Sequence, residues 1–106
     1  MAIFRIARYS LQATAVDGCK SALHTIVDAT NAEPGTLMYL VLQDAEDPTG
    51  FVHLSVYSDE AALAQHIAGE PMGTQIREVL QPAMVGAPQF THYTLVDGRL
   101  PATLGS

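Results

Sequence analysis

Two adjacent segments near the middle of the chain place the strongest constraint on its fold. Residues 36–43, TLMYLVLQ, are almost wholly apolar, which is typical of a central strand covered on both faces. Residues 44–50, DAEDPTG, are polar and contain proline and glycine, and residues 51–57, FVHLSVY, alternate in character, as a half-buried strand does. We therefore predict an antiparallel hairpin. Its second strand should present one face made of Phe51, His53, Ser55 and Tyr57, and another made of Val52, Leu54 and Val56.

The remaining sequence supplies two further strands and three helical stretches. Alternation predicts a strand over residues 3–15, with Arg5, Ala7 and Tyr9 on one side, and another over residues 90–96. Apolar residues at helical spacing predict helices over residues 17–31, 58–68 and 73–81. The second helix is expected to bury Leu63, His66 and Ile67, and to end at Gly69–Pro71.

This βαββααβ order predicts an α+β protein of the ferredoxin-like type, in which a four-stranded antiparallel sheet carries its helices on one face. One domain should span residues 1–96, followed by a C-terminal tail over residues 97–106. The other face of the sheet would leave Val52, Leu54 and Val56 in water, which is unfavourable by roughly 25 cal/mol per Å² of apolar area. A second copy could cover that face, so we predict a homodimer formed sheet on sheet.

Charge and cysteine content exclude several classes of protein. The 106 residues include 5 Lys and Arg against 11 Asp and Glu, for a net charge of −6, so the basic surface of a nucleic-acid binder is missing and an anionic membrane would repel the chain. A single cysteine, Cys19, excludes an internal disulfide, a thiolate zinc cluster and an iron–sulfur site.

The histidines lack metal-ligand spacing, so we predict no metal. No run of about 18 apolar residues is present and the first segment alternates like a strand, so we predict a cytoplasmic protein.

Three motifs in order give the chain a family likeness. They are E-P-G-T-L-x-Y at residues 33–39, E-D-P at residues 46–48, and F-V-x-x-x-x-Y-x-D-E-A-A-L-x-x-H at residues 51–66. Together they resemble the antibiotic biosynthesis monooxygenase (ABM) domain of the dimeric α+β barrel superfamily, over roughly residues 3–96. The resemblance implies a dimeric barrel built from two ferredoxin-like subunits.

The resemblance also implies a reaction. The best understood members of the family oxidise quinol or anthrone rings to quinones with molecular oxygen, without flavin, haem or metal. The substrate is deprotonated, and its carbanion reduces oxygen directly. The expected partner is therefore a small aromatic substrate, with molecular oxygen as co-substrate and no cofactor.

Candidate site residues come from matching positions in the family pattern. Members often carry Glu-x-Trp at the end of the third strand, where this chain has Ser55 and Tyr57. The anthrone-oxidising type has an Asn four residues before that Trp, where this chain has His53. Arg77 matches an Arg of the anthrone-oxidising type, and His66 matches a family His on the second helix. We assign catalytic roles to His53 as proton acceptor, because an imidazole titrates near neutrality, and to Tyr57 and Arg77 as groups that stabilise the substrate anion. The substrate-binding candidates are Ser55, His66, Tyr39 and Phe51.

Two other functions stay open at this point. A histidine and a tyrosine in a dry pocket could isomerise or cyclise an enolisable substrate without oxygen. The departure from Glu-x-Trp is also compatible with a non-catalytic dimeric module that binds a ligand or assists another protein.

Overall fold

A computed structural model of the protein describes residues 1–70 and 72–99. Three strands and two helices come first: β1 (Ile3–Ser10), α1 (Val16–Thr30), β2 (Thr36–Gln43), β3 (Gly50–Tyr57) and α2 (Glu60–Ala68). A broken helical segment follows, made of α3 (Met72–Gln75), a π-helical turn (Ile76–Leu80) and α4 (Gln81–Ala83), and the last strand is β4 (Gln89–Tyr93). The strands form one antiparallel sheet in the order β2-β3-β1-β4. The interpretation of residues 36–43 as a central strand covered on both faces was wrong, because β2 lies at the edge of the sheet and its Leu40 and Leu42 are exposed. The predicted α+β, ferredoxin-like fold is confirmed.

Strand register decides which side chains face the helices. In β1, Arg5 lies opposite Ser55 and Ala7 opposite His53, and in β2, Tyr39 lies opposite Ser55. Directly opposed residues share a face of the sheet, so all these side chains lie on the helix side. The predicted face of β3 is confirmed, because Phe51, His53, Ser55 and Tyr57 are all buried. The prediction that Val56 is left in water on the opposite face was wrong, since this side chain is only 2% exposed.

The core lies between this face and the helices. In α1, the apolar side chains of Cys19, Leu23 and Ile26 recur at helical spacing and are buried, and they pack in one cluster with Leu11 and Leu80. A second, smaller cluster joins Tyr57 to Ala62 and Leu63 of α2. The two clusters hold α1 and α2 against the sheet and leave space between the sheet and the helical segment.

Several predicted element boundaries were wrong. β1 ends at Ser10 rather than near residue 15, because the Leu11 and Gln12 N–H groups bond the carbonyls of Thr49 and Ala83 and the chain then enters a 3₁₀ turn. β4 ends at Tyr93 rather than residue 96. α2 begins at Glu60 rather than residue 58, because the Asp59 carboxylate caps the helix by accepting the Ala62 N–H at 2.8 Å.

The predicted burial of Ile67 was also wrong, since this side chain is 54% exposed. It belongs to the final turn of α2 and lies beside the space under the helical segment, where no second layer covers it. Of the predicted tail, residues 100–106 lie outside the described residues, as does Pro71 of the predicted helix break.

Gly35 marks a close approach between the start of β2 and α2. Its carbonyl accepts the Ser58 N–H at 2.9 Å, and a β-carbon at this position would overlap the β-carbon of Ala62. The backbone therefore packs directly on α2 here, and only glycine leaves room for it.

We expect Gly35→Ala to lower the free energy of unfolding by about 1–3 kcal/mol, the usual cost of overpacking. Gly18→Ala is the matched control, because no atom lies within 4 Å of its added β-carbon and alanine in a helix interior is favoured over glycine by roughly 0.5–1 kcal/mol. Urea unfolding should thus move the two variants in opposite directions, and Ala62→Gly should recover part of the Gly35→Ala loss. A Gly35→Ala protein as stable as the wild type would contradict the packing described here.

Candidate active site

A cavity of about 290 Å³ lies between the helix-facing side of the sheet and the helical segment. Apolar side chains of the helical segment, including Met72, Ile76 and Leu80, form one wall. The opposite wall belongs to the sheet and carries most of the polar groups. This combination of apolar walls with a few converging polar groups is typical of small-molecule sites, and the volume is at the low end of their range of roughly 300–1,000 Å³.

His53 occupies the centre of the sheet wall and is held on both sides. The Tyr9 hydroxyl lies 2.7 Å from its Nε2, and the Tyr39 hydroxyl lies 2.7 Å from its Nδ1. The residue is only 7% exposed. Burial lowers the pKa of His53 to about 4, and the positive charge of Arg5 contributes in the same direction, so the imidazole is neutral at physiological pH.

Neutrality makes the two tyrosines unequal partners. A neutral imidazole has one N–H and one bare nitrogen, so one hydroxyl donates to the ring while the other accepts from it. The accepting hydroxyl keeps its own proton for a third partner. Burial raises the pKa of both Tyr9 and Tyr39, which keeps both phenols protonated. The Tyr9–His53–Tyr39 triad can therefore both take up and give out a proton at the cavity wall.

His66 is a second buried histidine, and a carboxylate holds it in place. Its Nδ1 lies 2.8 Å from Oε1 of Glu33, and the same oxygen accepts the Thr36 hydroxyl at 2.7 Å. The ring packs between Tyr39 and Tyr57, at centroid distances of 5.3 and 5.0 Å. Burial lowers the pKa of His66 although the hydrogen bond to Glu33 opposes the shift. Glu33 thus fixes the orientation of His66 in the site.

Arg5 brings a positive charge to the same wall. Its guanidinium carbon lies 4.5 Å from the centre of the Phe90 ring, within the range of a cation–π contact. Its Nε is buried and makes no hydrogen bond within residues 1–70 and 72–99.

The predicted site residues fall into three groups. Four of them, His53, Ser55, His66 and Tyr39, line the cavity together. Arg77 lies at the cavity mouth with its side chain 60% exposed, and its Nη2 pairs with Glu70 Oε1 at 2.9 Å.

Phe51 and Tyr57 make up the third group, since they do not belong to the cavity lining. Phe51 stacks on Tyr9 at a centroid distance of 5.7 Å. Tyr57 is 0% exposed, and its hydroxyl finds no hydrogen-bond partner in the part of the chain that the structure covers. Burial raises the pKa of Tyr57, while the neighbouring Ser55 and Arg5 side chains oppose the shift.

Three residues of the site were not among the predicted candidates: Tyr9, Arg5 and Glu33. Alternation along β1 placed Arg5 and Tyr9 on one face, which was a usable signal. Their contact with His53 and Ser55 depends on strand pairing across more than 40 positions of sequence, which alternation does not reveal. Glu33 lies in the turn before β2, and no local pattern connects it with His66.

Within the described ranges, no three His, Cys, Asp or Glu side chains come together in a way that could hold a metal ion. No helix in those ranges has the length and apolar character needed to cross a membrane.

Comparison with known proteins adds the family. The chain resembles a solved antibiotic biosynthesis monooxygenase (24% identity, 90% of this chain and 99% of that one, TM-score 0.85) and a conserved protein from Methanosarcina mazei Go1 (22%, 88% and 91%, 0.83). It also resembles SnoaB, a cofactor-independent oxygenase from Streptomyces nogalater (13%, 92% and 95%, 0.79). At these identities the likeness establishes the fold alone. A search of curated proteins found no match. The family model for antibiotic biosynthesis monooxygenase matches residues 2–76, well over half of the sequence, and the chain therefore belongs to the antibiotic biosynthesis monooxygenase family.

Proposed function

We propose that the protein is a cofactor-independent monooxygenase that oxidises a quinol- or anthrone-like aromatic compound with molecular oxygen. The observation that carries this proposal is the neutral His53 held between the Tyr9 and Tyr39 hydroxyls in the wall of a largely apolar cavity. Membership of the family supports it, as does the fold shared with a protein described as a cofactor-independent oxygenase.

In the first step, a ring hydroxyl or an acidic C–H of the substrate loses its proton to the triad. The substrate proton passes to a tyrosine oxygen while that tyrosine passes its own proton to the bare nitrogen of His53. Because the pKa of His53 is about 4, full transfer from a phenol of pKa about 10 costs about 8 kcal/mol. The substrate anion is therefore short-lived, and the positive charge of Arg5 on the same wall stabilises it.

In the second step, the substrate carbanion reduces oxygen. One oxygen atom becomes the new ring carbonyl and the other leaves as water, so that a ring CH₂ and O₂ become C=O and H₂O. The apolar walls keep bulk water from the carbanion. Arg77 reaches a substrate only at the mouth and after releasing Glu70, and Tyr57 acts through its packing on His66.

Oxygen uptake by metal-free protein tests this function. Anthrone, naphthols and hydroquinones are offered with a chelator present, and the product is analysed after reaction under ¹⁸O₂. We expect uptake that requires the protein and resists the chelator. Anthrone and the naphthols should each gain one ¹⁸O atom at the carbon that becomes the new carbonyl, whereas a hydroquinone keeps its own two oxygens in the quinone, gains no label and reduces O₂ to H₂O₂. Uptake at the rate of the buffer alone, with no label in any product, would refute the proposal.

A second candidate function rests on the same triad. One of its hydroxyls accepts a proton while the other still has one to give, so the triad could move a proton between two atoms of an enolisable substrate without oxygen. Such an isomerase or cyclase would turn its substrate over equally fast under air and under argon, whereas an oxygenase would stop under argon.

We also propose that a second copy of the chain covers the open face of the sheet. In the pairing of β2 with β3, Leu40 lies opposite Leu54 and Leu42 lies opposite Val52, so all four side chains share that face. Leu40 is 43% exposed and Leu42 is exposed to a similar degree. An apolar sheet face of this kind is stabilised when a partner removes it from water.

Leu40→Asp should therefore halve the mass seen by sedimentation velocity, because a carboxylate would be buried unpaired within the interface. Ile67→Asp is the control, since it places the same charge on an exposed aliphatic residue in the helical layer, and its dimer should persist. A wild-type monomer at every concentration, or a Leu40→Asp dimer, would show that the open face is not the interface.

A further inference from the structure

The least expected charge in the cavity is that of Arg5. Its side chain is partly buried, its Nε is fully buried, and within the described residues the Nε–H donates no hydrogen bond and the guanidinium makes no ion pair. Contact with the Phe90 ring holds the guanidinium in place. That contact supplies no acceptor oxygen, and the neighbouring Tyr57 hydroxyl is neutral and itself without a hydrogen-bond partner among the described residues. A guanidinium removed from water without an anionic acceptor is unfavourable.

The carboxylates near this cavity are already engaged. Glu33 accepts hydrogen bonds from His66 and Thr36, and Glu70 is held at the mouth by Arg77 and Thr74. His53 is neutral and bonded on both sides. Among the described residues, Arg5 and Arg77 are the cations that line the cavity, and of these two only Arg5 lacks an anionic partner. This is so although the whole chain carries a net charge of −6.

We propose that Arg5, with Ser55 opposite it on β3, forms a subsite for a single carboxylate on the aromatic ligand. The aromatic character of the ligand rests on the function proposed above, whereas the carboxylate rests on Arg5 itself. Ser55 lines the cavity next to Arg5 and offers a hydroxyl to the same group.

A carboxylate fits this subsite better than other anions do. A guanidinium presents parallel N–H donors that match the two oxygens of a carboxylate. A phosphate monoester carries nearly two negative charges at neutral pH, and a single guanidinium would leave one of them uncompensated in an apolar cavity. With the carboxylate held at Arg5, the ring would lie along the sheet wall towards His53, two residues away from Ser55 on β3.

Isothermal titration under argon tests the subsite without any turnover. The probes are 2-naphthoate, its neutral analogue 2-naphthamide, and 2-naphthyl phosphate. We expect the wild type to bind naphthoate at least about tenfold more tightly than naphthamide, the effect of a charge-assisted hydrogen bond. Arg5→Met should reduce that ratio to about one, and Arg5→Lys should restore part of it. Lys20→Met also removes one positive charge, but from an exposed position on α1, and should keep the full ratio.

Several outcomes would overturn the subsite. These are equal affinity for naphthoate and naphthamide in the wild type, no binding of naphthoate, tighter binding of the phosphate, or an unchanged ratio in Arg5→Met. If Arg5→Met fails to fold, the wild-type ratio and Arg5→Lys still decide the question. A preference for naphthoate without oxygen uptake from any substrate would uphold the subsite and refute the oxygenase, and uptake from neutral quinols without that preference would do the reverse.

Discussion

Replacing His53 with leucine should lower kcat for oxygenation by about 10²–10⁴-fold, the contribution usual for a positioned acid–base group. Leucine fills a similar space but offers no nitrogen to the Tyr9 and Tyr39 hydroxyls, which each lie 2.7 Å from the imidazole. The substrate proton then has no acceptor beyond a tyrosine whose pKa burial has raised. Initial rates of oxygen uptake against substrate concentration separate this loss in kcat from any change in KM.

The matched control is His24→Leu, the same exchange at an exposed histidine on α1 that lies 3.3 Å from Asp28. It should leave kcat unchanged. If the triad acts as a unit, the double variant Tyr9→Phe/Tyr39→Phe should be no slower than His53→Leu, because groups that act together do not contribute additively. A His53→Leu enzyme within threefold of the wild type would remove His53 from the chemistry.

The face of β3 that forms the site could be predicted from sequence because it depends on a local rule. Side chains alternate along a strand, so Phe51, His53, Ser55 and Tyr57 had to share one face, and the order of the predicted elements indicated that the helices cover a single face of the sheet. The same rule placed Arg5 and Tyr9 together on one side of β1.

The partners of those residues could not be predicted in the same way. Whether Tyr9 and Tyr39 reach His53 depends on the registers of two separate strand pairs, and a shift of one residue would have moved either tyrosine to the opposite face. The π-helical turn at Ile76–Leu80 is likewise invisible to a search for helical spacing, which assumes 3.6 residues per turn. That turn presents Ile76 and Leu80 to the cavity. The chemistry of the site therefore became apparent from tertiary contacts rather than from the motifs.

Acidification should destabilise the fold through His53. The pKa of this residue is about 4 in the folded protein against 6.5 for an ordinary histidine, so between these values the unfolded chain binds a proton that the folded chain does not. The contribution of neutral His53 to the free energy of unfolding is thus fully present above about pH 6.5, decreases as the pH drops, and is lost by about pH 4. The shift corresponds to about 3 kcal/mol of unfolding free energy. The lowered pKa of His66 acts in the same direction.

Urea unfolding at pH 7, 5.5 and 4, at one fixed protein concentration, measures this effect. His53→Gln is the informative variant, because an amide can still donate to one tyrosine and accept from the other but does not titrate. Its loss of stability between pH 7 and pH 4 should be smaller than that of the wild type by about 3 kcal/mol. His24→Gln removes an exposed histidine, which is in water in both states, and should follow the wild-type curve. Parallel curves for His53→Gln and the wild type would mean that the His53 imidazole reaches water in the folded protein, and the neutral triad on which the proposed chemistry depends would then be untenable.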